Sequence, residues 1–271
     1  MALPGIHNAN DFYSAHYLES VLTGDIKKVR KRWAEQARAQ LDADPTAEVS
    51  TPEARFRALR KPWQKLREAE FGITGEPAER LRLQRELFFQ PLCEALGYPF
   101  APKPEPVLIG GEAYQIPLLA EVQNAKGEPW LWVVECFNPS DEKVNPLALT
   151  IETYWELNKA SQIDDPSLGQ VLVDADGQGL ETWEQLISER IFAQELPPPW
   201  VLAVSRDQLL LIDRQKWAAS RLLRFELNEL LGENNPDAVL AAATLLHLTQ
   251  AQIFHIRLKA SLLSWLSGRI P

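Results

Sequence analysis

The stretch 114-YQIPLLAEVQNAKGEPWLWVVECF-137 decides the fold class. Two apolar runs rich in β-branched and aromatic residues, Tyr114 to Val122 and Pro129 to Phe137, flank the polar segment Asn124 to Glu128, which contains Gly127. Strand-forming runs separated by a short segment with Asn and Gly predict an antiparallel hairpin, because those two residues supply the backbone conformations a tight reversal needs. Just upstream, Val107 to Ile109 reads as another short strand. Between Ala101 and Pro106 every second residue is proline; proline removes a backbone donor and biases its predecessor to extended geometry, so this piece reads as an extended connector.

Working outward from the hairpin, helical spacing resumes at Pro146 to Ala160 and again at Glu181 to Leu196, where Trp183, Leu186, Ile187 and Ile191 form an apolar stripe. Pro197 to Pro199 breaks the chain before a second hairpin, Trp200 to Val204 and Gln208 to Ile212 around Ser205-Arg206-Asp207. Asn235-Pro236-Asp237 opens an apolar helix through Leu248, and Ile253 to Leu266 is amphipathic. The first hundred residues read as four helices. One is capped by Asn10-Asp11 and stopped at Gly24, and a charged one runs from about Asp25 to Asp42. A third is opened by Thr51-Pro52-Glu53 and closed at Gly72. The last runs from Glu76-Pro77 to Gly97 with Leu81, Phe88, Leu92 and Leu96 on one stripe. The expected fold is therefore α/β: a helical region over 1–75, a mixed sheet flanked by helices over 76–232, and C-terminal helices over 233–271.

Nothing at Met1 to Asn10 resembles a secretory signal, and the apolar stretches are shorter than the ~20 residues a membrane helix needs. Cys93 and Cys136 sit inside apolar runs, as reduced core thiols do. A cytoplasmic protein with no membrane partner is expected. The four histidines are dispersed without zinc-binding spacing, and no Gly-x-Ser-x-Gly elbow is present. A net charge of -9 argues against a global basic field. The basic residues are nevertheless gathered. Lys27, Lys28, Arg30, Lys31 and Arg32 form one group, and Arg55, Arg57, Arg60, Lys61, Lys65 and Arg67 form another that contains no acid. Such groups are often only solvated helix faces, but they also suit phosphate binding.

The order helix, strand, hairpin strands, helix, hairpin strands over residues 76 to 213 resembles the core of the PD-(D/E)XK nuclease superfamily. The segments Trp200 to Asp213, Phe225-Glu226-Leu227 and Asn10 to Leu18 are similar to parts of combined nuclease-methyltransferase restriction polypeptides and methyltransferase-linked phage-defence proteins. In that family the second and third core strands carry acids that hold Mg²⁺, and a lysine two residues after the second acid stabilises developing charge. The resemblance assigns the acids to Glu121 and Glu135. At the lysine's position stands Phe137, and the nearest lysine downstream is Lys143. A phenyl ring neutralises no phosphate, and losing one such preorganised group costs about 10² to 10³ in rate. The resemblance therefore implies a catalytically degenerate restriction-endonuclease-like module.

No glycine-rich cofactor loop or Asn-Pro-Pro-aromatic motif is present, so methylation is not expected of this chain. The resulting expectation is a DNA-associated module of a restriction-modification or phage-defence system, with a methyltransferase or another defence subunit as a candidate partner and no cofactor. Two rivals remain. One is a protein-protein scaffold docking through its C-terminal helix. The other is an active Mg²⁺-dependent DNA endonuclease using Glu121, Glu135 and Lys143, with Glu121 and Glu135 as metal ligands.

Overall fold

Seven strands hydrogen-bond into one open mixed sheet, and both central strands of the second hairpin are buried along their whole length, which requires cover on both faces. The structure is a computed structural model describing residues 3–71, 77–109, 112–138, 142–150 and 182–247. The strands are β1 (Ile6–Ala9), β2 (Phe100–Ile109), β3 (Glu112–Gln123), β4 (Pro129–Glu135), β5 (Trp200–Val204), β6 (Gln208–Asp213) and β7 (Leu222–Glu226). They lie in the order β1-β7-β6-β5-β4-β3-β2, antiparallel throughout except for the parallel pair β4 and β5.

The helices are α1 (Leu22–Ala43), α2 (Pro52–Ala58), α3 (Arg60–Phe71), α4 (Pro77–Gln84), α5 (Gln90–Leu96), α6 (Trp183–Gln185), α7 (Arg214–Trp217) and α8 (Pro236–Leu246). A π-helical turn, Arg85–Phe89, joins α4 to α5, and another, Leu186–Ile191, extends α6. Helices α1 to α3, α5 and α8 share one core with Leu131, Val133, Leu202, Val204 and Phe225 of the sheet's first face. On the second face Trp132, Val134, Val201, Ala203 and Ile212 pack against Trp183, Leu186, Ile187 and Ile191. The first core draws residues from Phe12 to Leu246.

Both hairpins form where the sequence places them. Asn124 and Glu128 close the first turn through backbone hydrogen bonding, with Gly127 at φ 78°, a conformation other residues adopt at a cost. Thr51 caps α2 by accepting from the Ala54 N–H, and Asn235 caps α8 by accepting from Asp237 and Ala238. Gly97 ends α5 in the left-handed conformation.

Several local expectations are corrected. The prolines expected to make a connector, Pro102, Pro104 and Pro106, lie within β2. This strand is at the sheet edge, and alternate residues can direct their missing donors away from β3 at no cost to the ladder. Gly24 does not stop a helix; α1 runs through it, because burial of Leu22, Ile26, Val29 and Trp33 outweighs the ~1 kcal/mol an interior glycine costs. Asn10 and Asp11 do not cap a helix. Both take positive φ in a turn clamped by Asn8, whose side chain bonds both the N–H and the carbonyl of Tyr13.

The helix expected from Thr51 to Gly72 is two helices. Pro62 has no N–H to give the Ala58 carbonyl, and the break falls at Leu59. The extra residue of the π-helical turn splits the expected stripe, so that Leu81 joins the second core while Phe88, Leu92 and Leu96 join the first. Strands β1 and β7 have no counterpart in the sequence reading. Of the helix expected from Pro146, a short turn, Pro146–Ala148, is seen; the remainder of that helix, and the amphipathic segment 253–266, lie outside the described residues.

Candidate functional site

Because side chains alternate along a strand, the register of β3 with β4 decides which groups can meet. Glu121 pairs with Trp132, whose ring packs in the core of the second face. Glu135 follows Leu131 and Val133, which face the first core, and it pairs with Val204 of the same core. The two carboxylates therefore lie on opposite faces of the sheet. Glu121 is held by Lys103 of the edge strand at 3.0 Å, and Lys103 also binds Glu105 at 2.6 Å. The bond to Glu105, with Glu121 adding to it, raises the pKa of the Lys103 ammonium. Glu135 is 1% exposed and accepts from Arg85 Nε at 2.7 Å.

Lys143 reaches neither acid; its Nζ lies 2.8 Å from Glu226 on β7. Phe137, at the family lysine's position, is a buried core residue. This donor set does not fit Mg²⁺: no two of the expected ligands share a face, and each is engaged by a cation. Among the described residues no group of three or more His, Cys, Asp and Glu side chains is placed to hold a metal. Burial pushes the Cys93 thiol up to about 12 and the Cys136 thiol well above its ordinary value, so neither is a nucleophile at neutral pH.

The two basic groups meet. Glu53, buried at the start of α2, accepts from Arg57 at 2.9 Å and lies 3.1 Å from Arg30 of α1. One carboxylate thereby ties the basic turn of α1 to that of α2. Lys27, Arg32, Lys61 and Lys65 are exposed on these helices and on α3, and Arg60 is half-buried. Exposed Lys28 and Lys31 make only local pairs, with Asp25 at 3.6 Å and Glu35 at 3.7 Å. Two of the eleven are structural. Arg55 donates to the carbonyls of Ala95 and Ser50 and lies beside the His247 ring, and Arg67 is tied to Asp207 at 3.0 Å.

A cleft of about 300 Å³ opens beyond the carboxyl ends of β4, β5 and β7, lined by Trp63, Arg67, Lys143, Arg206, Asp207, Glu226 and Asn228. Its wall is made by α3: Trp63 Nε1 donates to the Arg206 carbonyl at 3.3 Å, and Arg67 holds Asp207. The Arg206 guanidinium, almost fully buried, donates to Asp207 at 2.9 Å and lies 3.6 Å from Glu70, which accepts from Gln84 at 2.7 Å. Gln208 donates to Glu226 at 2.9 Å from below. The sequence reading missed this site. Its signals are charges set among apolar residues, Arg206 and Asp207 at the hairpin turn and Glu226 within Leu222 to Leu231, and they are visible only once β7 is recognised as a strand.

Comparison of the chain with protein-family models, with curated proteins and with solved structures found no match.

Proposed function

We infer that this chain is a DNA-associated module with a nuclease-like but noncatalytic core, of the kind used in restriction-modification or phage-defence systems. The observation that carries the reading is the bridge of Arg30, Glu53 and Arg57, which ties the basic turn of α1 to that of α2 on a chain of net charge -9. Local cations at that density suit the evenly spaced phosphates of a duplex, and phosphate contacts give affinity without reading sequence. The architecture supports the same reading. A helix precedes three antiparallel strands, β2, β3 and β4, a second helix follows, and β5 lies parallel to β4, the order the PD-(D/E)XK resemblance implies. The placement of Glu121 and Glu135 on opposite faces favours binding over Mg²⁺-dependent cleavage.

Replacing Lys31, Arg57 and Lys61 together by alanine tests the surface. Fluorescence anisotropy of a labelled duplex should show weaker binding whatever the DNA sequence. The slope of log affinity against log salt should flatten by about 0.9 for each phosphate no longer neutralised. A variant that binds like the parent removes this surface from the account.

A further inference from the structure

We propose that α1 pairs antiparallel with the same helix of a second copy of this chain, through a self-complementary row of charges on its outer face. Trp33 is the last buried residue of α1, and none of the residues from Ala34 to Ala43 is buried. At 1.5 Å per residue this half of the helix runs about 15 Å beyond its last core anchor. Lys31, Glu35, Arg38 and Asp42 follow one another at intervals of four, three and four residues. At about 100° per residue they fall within about 60° of one another, on the side opposite Leu22, Ile26, Val29 and Trp33. All four are exposed, the Lys31 and Glu35 side chains by 79% and 65%.

The order of signs decides the occupant. Along the helix the row reads plus, minus, plus, minus. Turned end for end about a two-fold axis between Gln36 and Ala37, it sets Lys31 opposite Asp42 and Glu35 opposite Arg38, and each pair occurs twice. Every charge then meets its opposite, whereas a parallel alignment in register sets like on like. The same order does little for the helix alone. A base followed four residues later by an acid is the weaker arrangement of such a pair, and Asp42 stands in a last turn that holds no base, where the helix dipole disfavours an anion. Lys31 and Glu35 lie 3.7 Å apart, while among the described residues Arg38 and Asp42 make no ion pair. Leu41, 43% exposed, flanks the row together with Ala34, and antiparallel pairing brings Leu41 of each copy within a turn of Ala34 of the other. The body of each copy lies behind its own α1, on the face turned away from the row.

Exposed ion pairs are individually weak and screened by salt, so the dimer is concentration-dependent and salt-sensitive. Sedimentation velocity of the whole chain without nucleic acid should show a monomer–dimer equilibrium at low salt that moves to monomer at about 0.5 M salt. Glu35→Lys with Asp42→Lys makes the row wholly basic, and Lys31→Glu with Arg38→Glu makes it wholly acidic. Each double variant should self-associate about tenfold or more weakly, because like charges now face each other. An equimolar mixture of the two should regain a dimer, which also shows that both fold. The pairing stands apart from the DNA reading: of the four residues only Lys31 belongs to that surface, and the measurement contains no DNA. A parent that stays monomeric at low salt, double variants that dimerise like the parent, or a mixture that stays monomeric overturns the proposal.

Discussion

Glu121 and Glu135 are the same residue type, on adjacent strands of one hairpin, yet the structure uses them differently. Glu121 faces the second core at the rim of the sheet, held by a lysine of the edge strand that is itself half in water. Glu135 is buried against the helical layer and matched to Arg85. The cause is one residue of register. Gln123 pairs with Pro129, and an unbroken ladder from there would set Glu121 opposite Leu131, on the face of Glu135. The irregularity between Val122 and Gln123 instead sets Val122 opposite Leu131 and Glu121 opposite Trp132. A shift of one residue turns a side chain to the other face. Two acids that would share a face are thereby placed on opposite ones, and an arrangement that resembles a metal site in sequence becomes two separate ion pairs.

The largest effect expected from this contrast comes from stranding the buried acid. Arg85→Ala leaves Glu135 without its guanidinium in a dry core and should cost about 3–5 kcal/mol in urea unfolding. Replacing both partners, Arg85→Leu with Glu135→Leu, should recover most of that loss, because the desolvation of both charges is removed together. A double variant no more stable than Arg85→Ala would mean that the pair itself, not the burial of one charge, dominates.

A smaller effect distinguishes pH regimes on the first face. His247, at the end of α8 beside Arg55 and edge-on to Trp33, has its pKa lowered below 6.5, first by burial and then by Arg55. The folded state holds this ring neutral, so below 6.5 the unfolded chain binds more protons. The histidine's contribution is complete above that value and is lost as pH falls through 6.5 towards the lowered folded value. Thermal melts of the parent should decline over that window more steeply than those of His247→Gln; parallel declines would remove the histidine as their source. The smallest effect is expected at the other acid. Lys103→Ala should change stability by less than about 1 kcal/mol, because the Lys103 head is 45% exposed and water can take its place beside Glu121. A loss as large as that of Arg85→Ala would erase the contrast.

Much of this fold is legible in the sequence because local chemistry and burial agree there. The Asn124 to Glu128 turn, the caps at Thr51 and Asn235 and the Gly97 stop each act within a few residues. The hairpin of β5 and β6 is apolar from Trp200 to Val204 and from Leu209 to Ile212, as doubly covered strands require. What escaped depends on partners distant in the chain. β1 has no alternation of its own, and the apolar run of β7 is broken by Arg224; they form strands by pairing with each other and with β6. Pro102, Pro104 and Pro106 look like a connector until β2 is known to be an edge. At the site, the residue types were readable but their faces were not, since a bulge in the ladder carries no marker in composition. The cleft was hidden for the same reason, its residues coming from α3, the β5–β6 turn, the end of β7 and the loop carrying Lys143.

The most direct test of noncatalytic DNA binding is the anisotropy of a fluorescent duplex titrated with the intact chain at rising salt in the presence of Mg²⁺, with the recovered DNA run on a gel. The expected result is affinity falling linearly in log-log terms with salt and DNA recovered whole. No binding at low salt, or cleavage that disappears with Glu135→Ala, would contradict it.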